Sequence, residues 1–380
     1  MADAFPGQVG VAVAGGSIAG LCAGNALLAA GHDVHVFERS ATRLTSRGAG
    51  IVVQPDLASL LKRAGTPPLA MTHCTTRKNF SGRGGPAQLL HMPQQFTSWE
   101  AIFASLSGAF PAERYHAGME LEIAEASANG VTLRANRETL TADLLIAADG
   151  FRSETRARFA PETISRYAGY IAWRGVADET DLPDTLVAFF DDNFCFCDVG
   201  DGGHALCYLI PGEGGSTARG TRRLNWVWYV TVPEGESLNA VMTDGAGRQR
   251  HASVPVGHVN ATALNDLHRR AESLERHFAD LVRATPEPFI QSILDVAPPE
   301  MVFGRICLLG DAAFVVRPHT AAATAKAAAE ASALAASLKD FAPNIDQGLA
   351  VWNRQQVSSG RRLVDYGVML GERTTRRKST

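Results

Sequence analysis

Apolar residues open the chain in a short run at 9–14, a Gly15-Gly16-Ser17 turn interrupts it, and an alanine-rich stretch continues to Gly31 before a second apolar run at 33–38. Strand, helix and strand within about thirty residues predict a parallel β-α-β unit with a right-handed crossover. Two more apolar runs, at 143–148 and 305–309, each end in a Gly/Asp pair. Between them the texture changes. Runs at 170–176, 186–190, 194–199, 204–210 and 224–232 are short, aromatic and punctuated by Gly, Asp and Pro, which predicts antiparallel strands. A polar helix is expected over 262–283, and an alanine-rich one from Thr320 onward with Thr320 as its N-cap.

Strands of the first kind lie on both sides of the aromatic stretch, so the chain leaves one sheet and returns to it. The expected fold is α/β plus α+β: a Rossmann-like nucleotide-binding domain begun by residues 1–165, an inserted antiparallel β-rich domain at 166–290, and a return with C-terminal helices at 291–380. A net charge of −3 gives no general electrostatic reason to bind nucleic acid or an anionic membrane. Residues 1–8 carry no basic residue, unlike the start of a secretory signal. The most apolar helical stretch, 320–338, is mostly alanine and contains Lys326 and Glu330, too weakly hydrophobic to span a bilayer. A soluble, cytoplasmic protein is expected. Six scattered cysteines read as reduced, buried thiols. Cys195, Cys197, His204 and Cys207 match no standard metal spacing, so no metal is assigned.

The strongest local pattern is Val13-Ala14-Gly15-Gly16-Ser17-Ile18-Ala19-Gly20, with Glu38 closing the second strand. Gly15 permits the tight turn and Gly20 lets the helix approach the strand. The helix N-terminus, including Ala19, offers free N–H groups and a positive dipole end to a pyrophosphate. Glu38 is placed to accept from ribose hydroxyls. Ser17 replaces the usual second glycine, and its hydroxyl can bond a phosphate oxygen instead. FAD and NAD share this pattern. Asp149-Gly150 and Gly310-Asp311, each ending an apolar strand, favour FAD because carboxylates there can hold ribitol hydroxyls, although each alone also suits a turn or cap.

Taken together, these three motifs resemble the FAD-dependent aromatic hydroxylases, the group A flavoprotein monooxygenases of para-hydroxybenzoate hydroxylase-like fold. The segments Arg47-Gly48-Ala49-Gly50, Tyr167-Ala168-Gly169-Tyr170-Ile171-Ala172-Trp173-Arg174 and Gly310-Asp311-Ala312-Ala313-Phe314-Val315-Val316-Arg317-Pro318-His319 are similar to the pyridine hydroxylases grouped with 2,6-dihydroxypyridine hydroxylase. The resemblance implies non-covalent FAD, NADH or NADPH as reductant, and dioxygen with an aromatic small molecule, a hydroxypyridine, hydroxylated through a flavin hydroperoxide. A homodimer is the family expectation. The chain lacks the family's arginine at the helix opening Trp99-Glu100, for which Arg39 or Arg47 can compensate. Alanines at 321–323, where the broad family has glycines, still allow N–H groups near Ala323 to reach the flavin.

An electron-rich ring becomes richer on losing a hydroxyl proton, so a nearby base is expected. His319 is the first candidate, with a turn histidine as the alternative. Tyr208 is a candidate lining of the ring pocket, or a core tyrosine. Trp173 and Arg174 read as structural. Other readings are a flavin halogenase or reductase, and a non-catalytic FAD-binding protein. The Trp226-Val227-Trp228 stretch keeps only the tryptophans of a halogenase pattern.

Overall fold

The strands Gly10–Ala14 and Asp33–Glu38 pair in parallel, Val11 beside Val34 and Val13 beside Val36, and the helix Ile18–Ala29 crosses between them. Small residues let that helix lie close to the sheet: a Cβ on Gly24 would sit 2.7 Å from Phe110 and 3.1 Å from Val36. The computed structural model describes residues 7–42, 44, 50–81, 85–136, 138–199 and 203–375. Across the first sheet the order is Val302–Phe303, Ile306–Leu308, Leu144–Ala147, Gly10–Ala14, Asp33–Glu38 and Tyr115–Ala117. The strands at 144–147 and 306–308 are thus the returning strands expected from the sequence, parallel to each other and to Gly10–Ala14, whereas Val302–Phe303 pairs antiparallel at the edge.

A nine-stranded sheet runs in the order Ser253–Val254, Phe289–Asp295, Arg166–Asp178, Arg223–Thr231, His204–Ile210, Asn193–Asp198, Thr72–Ser81, Gln88–Ser98 and Gly50–Val52. Its pairs are antiparallel except Asn193–Asp198 with Thr72–Ser81. Residues 50–98 therefore contribute three strands to this sheet, although they precede the expected boundary at 165. Their composition conceals them: the outer half of Gln88–Ser98 is exposed, so it needs no regular apolar alternation.

Three element assignments differ from expectation. The run 186–190 is not a strand but part of the helix Asp184–Phe190, which buries Leu186, Val187 and Phe190 on one face. Spacings of one, three and four residues fit a helix, and in so short a run periodicity alone cannot exclude it. The helix expected over 262–283 is two helices, Ala261–Ala271 and Arg276–Ala284; the Asn260 side chain caps the first and the Glu275 side chain caps the second. The alanine-rich helix begins at Ala323, with Ala322 as N-cap. Thr320 instead ends a one-turn 3₁₀ segment, Pro318–Thr320, and its hydroxyl accepts from the Ala322 N–H at 3.2 Å.

All six cysteines are free and buried. Cys195, Cys197 and Cys207 belong to the apolar core of the second sheet, as do Trp226 and Trp228, and the Trp226 indole N–H donates to Thr285. No helix among the described residues is long and apolar enough to cross a membrane.

A buried ion pair ties the alanine-rich helix Ala323–Asp340 to the first sheet. The Lys326 ammonium donates to the Gly310 carbonyl at 2.8 Å and to Glu330 at 3.1 Å, while the other Glu330 oxygen accepts from the Gly310 N–H at 2.8 Å. Removing one partner leaves the other buried alone, a loss of about 3–5 kcal/mol. Lys326→Met should lower the urea unfolding free energy by about that amount, and Lys326→Met/Glu330→Met should lose less than the single variant.

Candidate active site

Gly15 has φ +106°, and a Cβ there would meet the Ala148 carbonyl oxygen at 2.4 Å; at Gly20 it would meet the Gly15 carbonyl oxygen at 1.8 Å. Neither position has room for a side chain, so the backbone forms an open cradle at the start of the first helix. The first intrahelical bond is Leu21 N–H to Ser17 C=O, which leaves the N–H groups of Ile18, Ala19 and Gly20 directed out of the helix end. Ser17 is the N-cap, but its hydroxyl makes no capping bond. A Cβ on Gly310 would lie 2.6 Å from the Ala19 methyl, so the third motif packs directly on this first turn.

Glu38 is buried. Its carboxylate accepts from the Gly16 N–H at 2.8 Å and the Ser40 N–H at 2.9 Å, bracing the glycine turn with lone pairs still to spare. Tyr115 completes the brace by donating to the Gly16 carbonyl. Arg39 points outward, its side chain 73% exposed and 3.9 Å from Glu120. Arg47 lies outside the described residues. The helix Trp99–Ala109, which lacks the family's arginine, instead pairs Glu100 with Arg223 at 3.0 Å.

At the end of the strand Leu144–Ala147, Asp149 accepts through Oδ2 from the Thr155 N–H and hydroxyl, both at 3.3 Å. Its Oδ1 is buried without a hydrogen-bond partner. Buried carboxylate oxygens are seldom left so, and a ligand hydroxyl is the natural complement. Protein surrounds the Asp311 carboxyl and raises its pKa above the usual range, against the pull of Lys326 and Arg156, yet the side chain opens onto the central cleft. Arg156 links the two loops: it donates to the carbonyls of Asp311 at 3.2 Å, Ala312 at 2.8 Å and Phe151. The sequence reading missed it, although it sits four residues beyond the Arg152 quoted with the Asp149-Gly150 motif.

The cleft has a volume of about 1610 Å³ and runs between the two sheets. On one side it is bounded by Asp311 and residues 321–324, where the Gln54 amide donates to the Ala321 carbonyl at 2.8 Å. The nine-stranded sheet supplies the opposite wall. Ile171 and Trp173 face the core there, whereas Arg174 faces the cleft. Arg174 spans to the neighbouring strand as expected, Nη1 donating to Gln291 at 2.8 Å, and its Nε is buried with no hydrogen-bond partner among the described residues.

Tyr208 and His319 both line this cleft. The Tyr208 ring stacks on Phe96 at 4.3 Å and meets Phe194 edge-on, and burial pushes its hydroxyl pKa far up, so it stays protonated. His319 Nε2 lies 2.9 Å from the Tyr170 hydroxyl, and the His319 ring contacts Tyr229 at 4.2 Å and His204 at 5.6 Å. Burial lowers the His319 pKa to about 3, helped by His204 and Arg317. His204 falls to about 4 for the same first reason, with Arg77 adding to the fall and Asp198 opposing it. Both imidazoles are neutral near pH 7.

A model described as FAD binding domain-like matches residues 167–295. A solved salicylate hydroxylase shares the fold, with TM-score 0.72 at 19% identity over 98% of this chain and 90% of that one. One relative is 36% identical over 92% of this chain. The chain belongs to the FAD-dependent monooxygenases of aromatic rings, and FAD is its cofactor. That relative is the 2,6-dihydroxypyridine 3-monooxygenase of Paenarthrobacter nicotinovorans, aligned over 355 residues and 87% of its length. The structure of 2,6-dihydroxypyridine-3-hydroxylase from Arthrobacter nicotinovorans matches with TM-score 0.91 at 33% identity, over 99% of this chain and 95% of that one. A 6-hydroxynicotinate 3-monooxygenase of Pseudomonas fluorescens is 26% identical over 87% of this chain and 82% of its own.

Two outcomes follow from this geometry. Asp149→Ala should weaken FAD retention by about tenfold, the value of one hydrogen bond to a charged group, read as flavin fluorescence in the filtrate of the purified protein. The second concerns acid. The folded-state pKa values of His204 and His319 lie below the ordinary 6.5, so the unfolded chain takes up protons first as pH falls. Their stabilising contribution is complete above about pH 6.5 and is lost progressively toward the folded values. Between pH 6.5 and 5 the melting temperature of the wild type should fall more steeply than that of His204→Asn/His319→Gln.

Proposed function

We propose that this enzyme hydroxylates an electron-rich aromatic ring, a hydroxypyridine, using NADH or NADPH as reductant and dioxygen as oxidant. The observation that carries the reading is one continuous cleft that joins the Asp311 and 321–324 edge to an aromatic wall bearing Arg174, Tyr208 and His319. Orphaned Asp149 Oδ1 and the cradle at Gly15 and Gly20 fit the cofactor. Ser17, Ala19 and Gly20 would hold the pyrophosphate, Glu38 the ribose, and Asp149 and Asp311 the ribitol side. Ala323 opens a helix whose positive end favours negative charge. When bound, FAD supplies the exchange of electrons between nicotinamide and dioxygen and the delivery of one oxygen atom.

The chain's own groups do the rest. Phe194, Phe196 and Tyr229 offer flat apolar surface to a ring and exclude water from it. The guanidinium of Arg174 keeps one buried donor free, suited to an ionised ring oxygen. Stabilising that ionised form makes the ring a better acceptor of an electrophilic oxygen. A core position for Trp226 and Trp228 gives the halogenase reading no support.

The test is oxidation of NADH and NADPH by the purified yellow protein, screened against hydroxypyridines and phenols, with oxygen uptake and product mass followed together. A hydroxypyridine should stimulate oxidation and yield a product heavier by one oxygen atom. Nucleotide oxidation that no ring compound stimulates would count against the proposal.

A further inference from the structure

The hydrogen bonds behind His319 have a fixed direction. Asp295 accepts from Arg317, Nε to Oδ1 at 2.9 Å and Nη2 to Oδ2 at 2.6 Å. Arg317 is buried, and its guanidinium lies against Tyr170, Cζ 5.6 Å from the ring centroid. A guanidinium has only donors, so it offers the Tyr170 hydroxyl proton no acceptor. The close approach of these groups is visible at Gly371, where a Cβ would sit 2.5 Å from Arg317 Nη1 and 2.7 Å from Tyr170 Oη. Tyr170 is fully buried, and among the described residues its hydroxyl proton has one acceptor within reach, His319 Nε2 at 2.9 Å.

A neutral imidazole that accepts at Nε2 carries its own hydrogen on Nδ1. Nδ1 makes no hydrogen bond to the described residues, and His319 lines the cleft. We propose that Asp295, Arg317 and Tyr170 are positioning residues that hold His319 as a hydrogen-bond donor, through Nδ1–H, to an oxygen of the bound ring. The sequence suggested a base at this position; the direction of the chain assigns the opposite role. Because it names what His319 offers the ring, the inference rests on the proposed ring-hydroxylating function. The oxygen recognised is an acceptor, either the ionised oxygen or the ring carbonyl of a hydroxypyridine.

The hydrogen on His319 can be located without turnover. Ring-nitrogen correlation spectra of the resting, ¹⁵N-labelled holoenzyme, with His319 assigned by difference from His319→Gln, should show hydrogen on Nδ1 and a bare Nε2. Tyr170→Phe removes the hydroxyl donor and should shift hydrogen toward Nε2. Hydrogen on Nε2 in the wild type, or a His319 signal unmoved by Tyr170→Phe, overturns the assignment. These spectra hold or fail whether or not a hydroxypyridine is turned over, so a failed substrate screen leaves them independent. With an active substrate, His319→Gln retains an N–H donor and should raise KM less than His319→Leu does. His319→Leu should raise KM by about tenfold, one lost hydrogen bond to a charged or strongly polar oxygen. Equal loss of kcat in both variants, together with loss of the acidic limb of the pH profile, is the result expected of a base and would refute the donor role.

Discussion

Close approach at three glycines is the constraint on which the rest depends. Gly15 meets the Ala148 carbonyl, Gly20 meets the Gly15 carbonyl, and Gly310 meets Ala19, each at a distance that excludes a Cβ. Three strand ends from distant parts of the chain are thereby drawn to one point. The pieces are then fastened by charge: Glu38 behind the first turn, Arg156 between the Asp149 and Asp311 loops, and Lys326 with Glu330 around Gly310. The helix end, the Asp149 oxygen and Asp311 have their places only because those contacts are made.

How much of this was legible beforehand follows from how local each signal is. The β-α-β unit, the two returning strands and the three cofactor motifs are written in contiguous residues, and they stand where expected. The strands at 72–81 and 88–98 were not legible, because a strand with an exposed half has no need of apolar periodicity. The break near 272–275 and the helix at 184–190 depend on caps and on packing against the second core, which no short window contains. In the site, Tyr208 and His319 were found as cleft residues, whereas Arg156, Tyr170 and the outward turn of Arg174 were not. Each of those depends on a partner more than a hundred residues away or on a fellow strand's face.

The cleft separates two kinds of wall. Toward the first sheet it presents small side chains, the 321–324 backbone and the Asp311 carboxylate, suited to a polar, elongated cofactor. Toward the second it presents aromatic faces with a few oriented donors. Burial keeps Tyr208 and Tyr229 protonated and His204 and His319 uncharged, so Arg174 and Arg77 supply the positive charge of the second wall. The division explains why a nine-stranded sheet drawn from two separate stretches of chain is needed: neither stretch alone closes the wall.

The last helix, Ile345–Thr375, presents glycines at 360, 367 and 371 to the polypeptide that carries His319. At those points Phe314, Arg317 and the Tyr170 hydroxyl nestle against bare backbone; a Cβ would sit 2.4 Å from Phe314 at 360 and 2.5 Å from Arg317 Nη1 at 371, and 3.3 Å from Arg317 Cβ at 367. The helix therefore works as a latch whose teeth are missing side chains. An added methyl at 360 or 371 would press on Phe314, or on Arg317 and Tyr170, and so be felt at the imidazole.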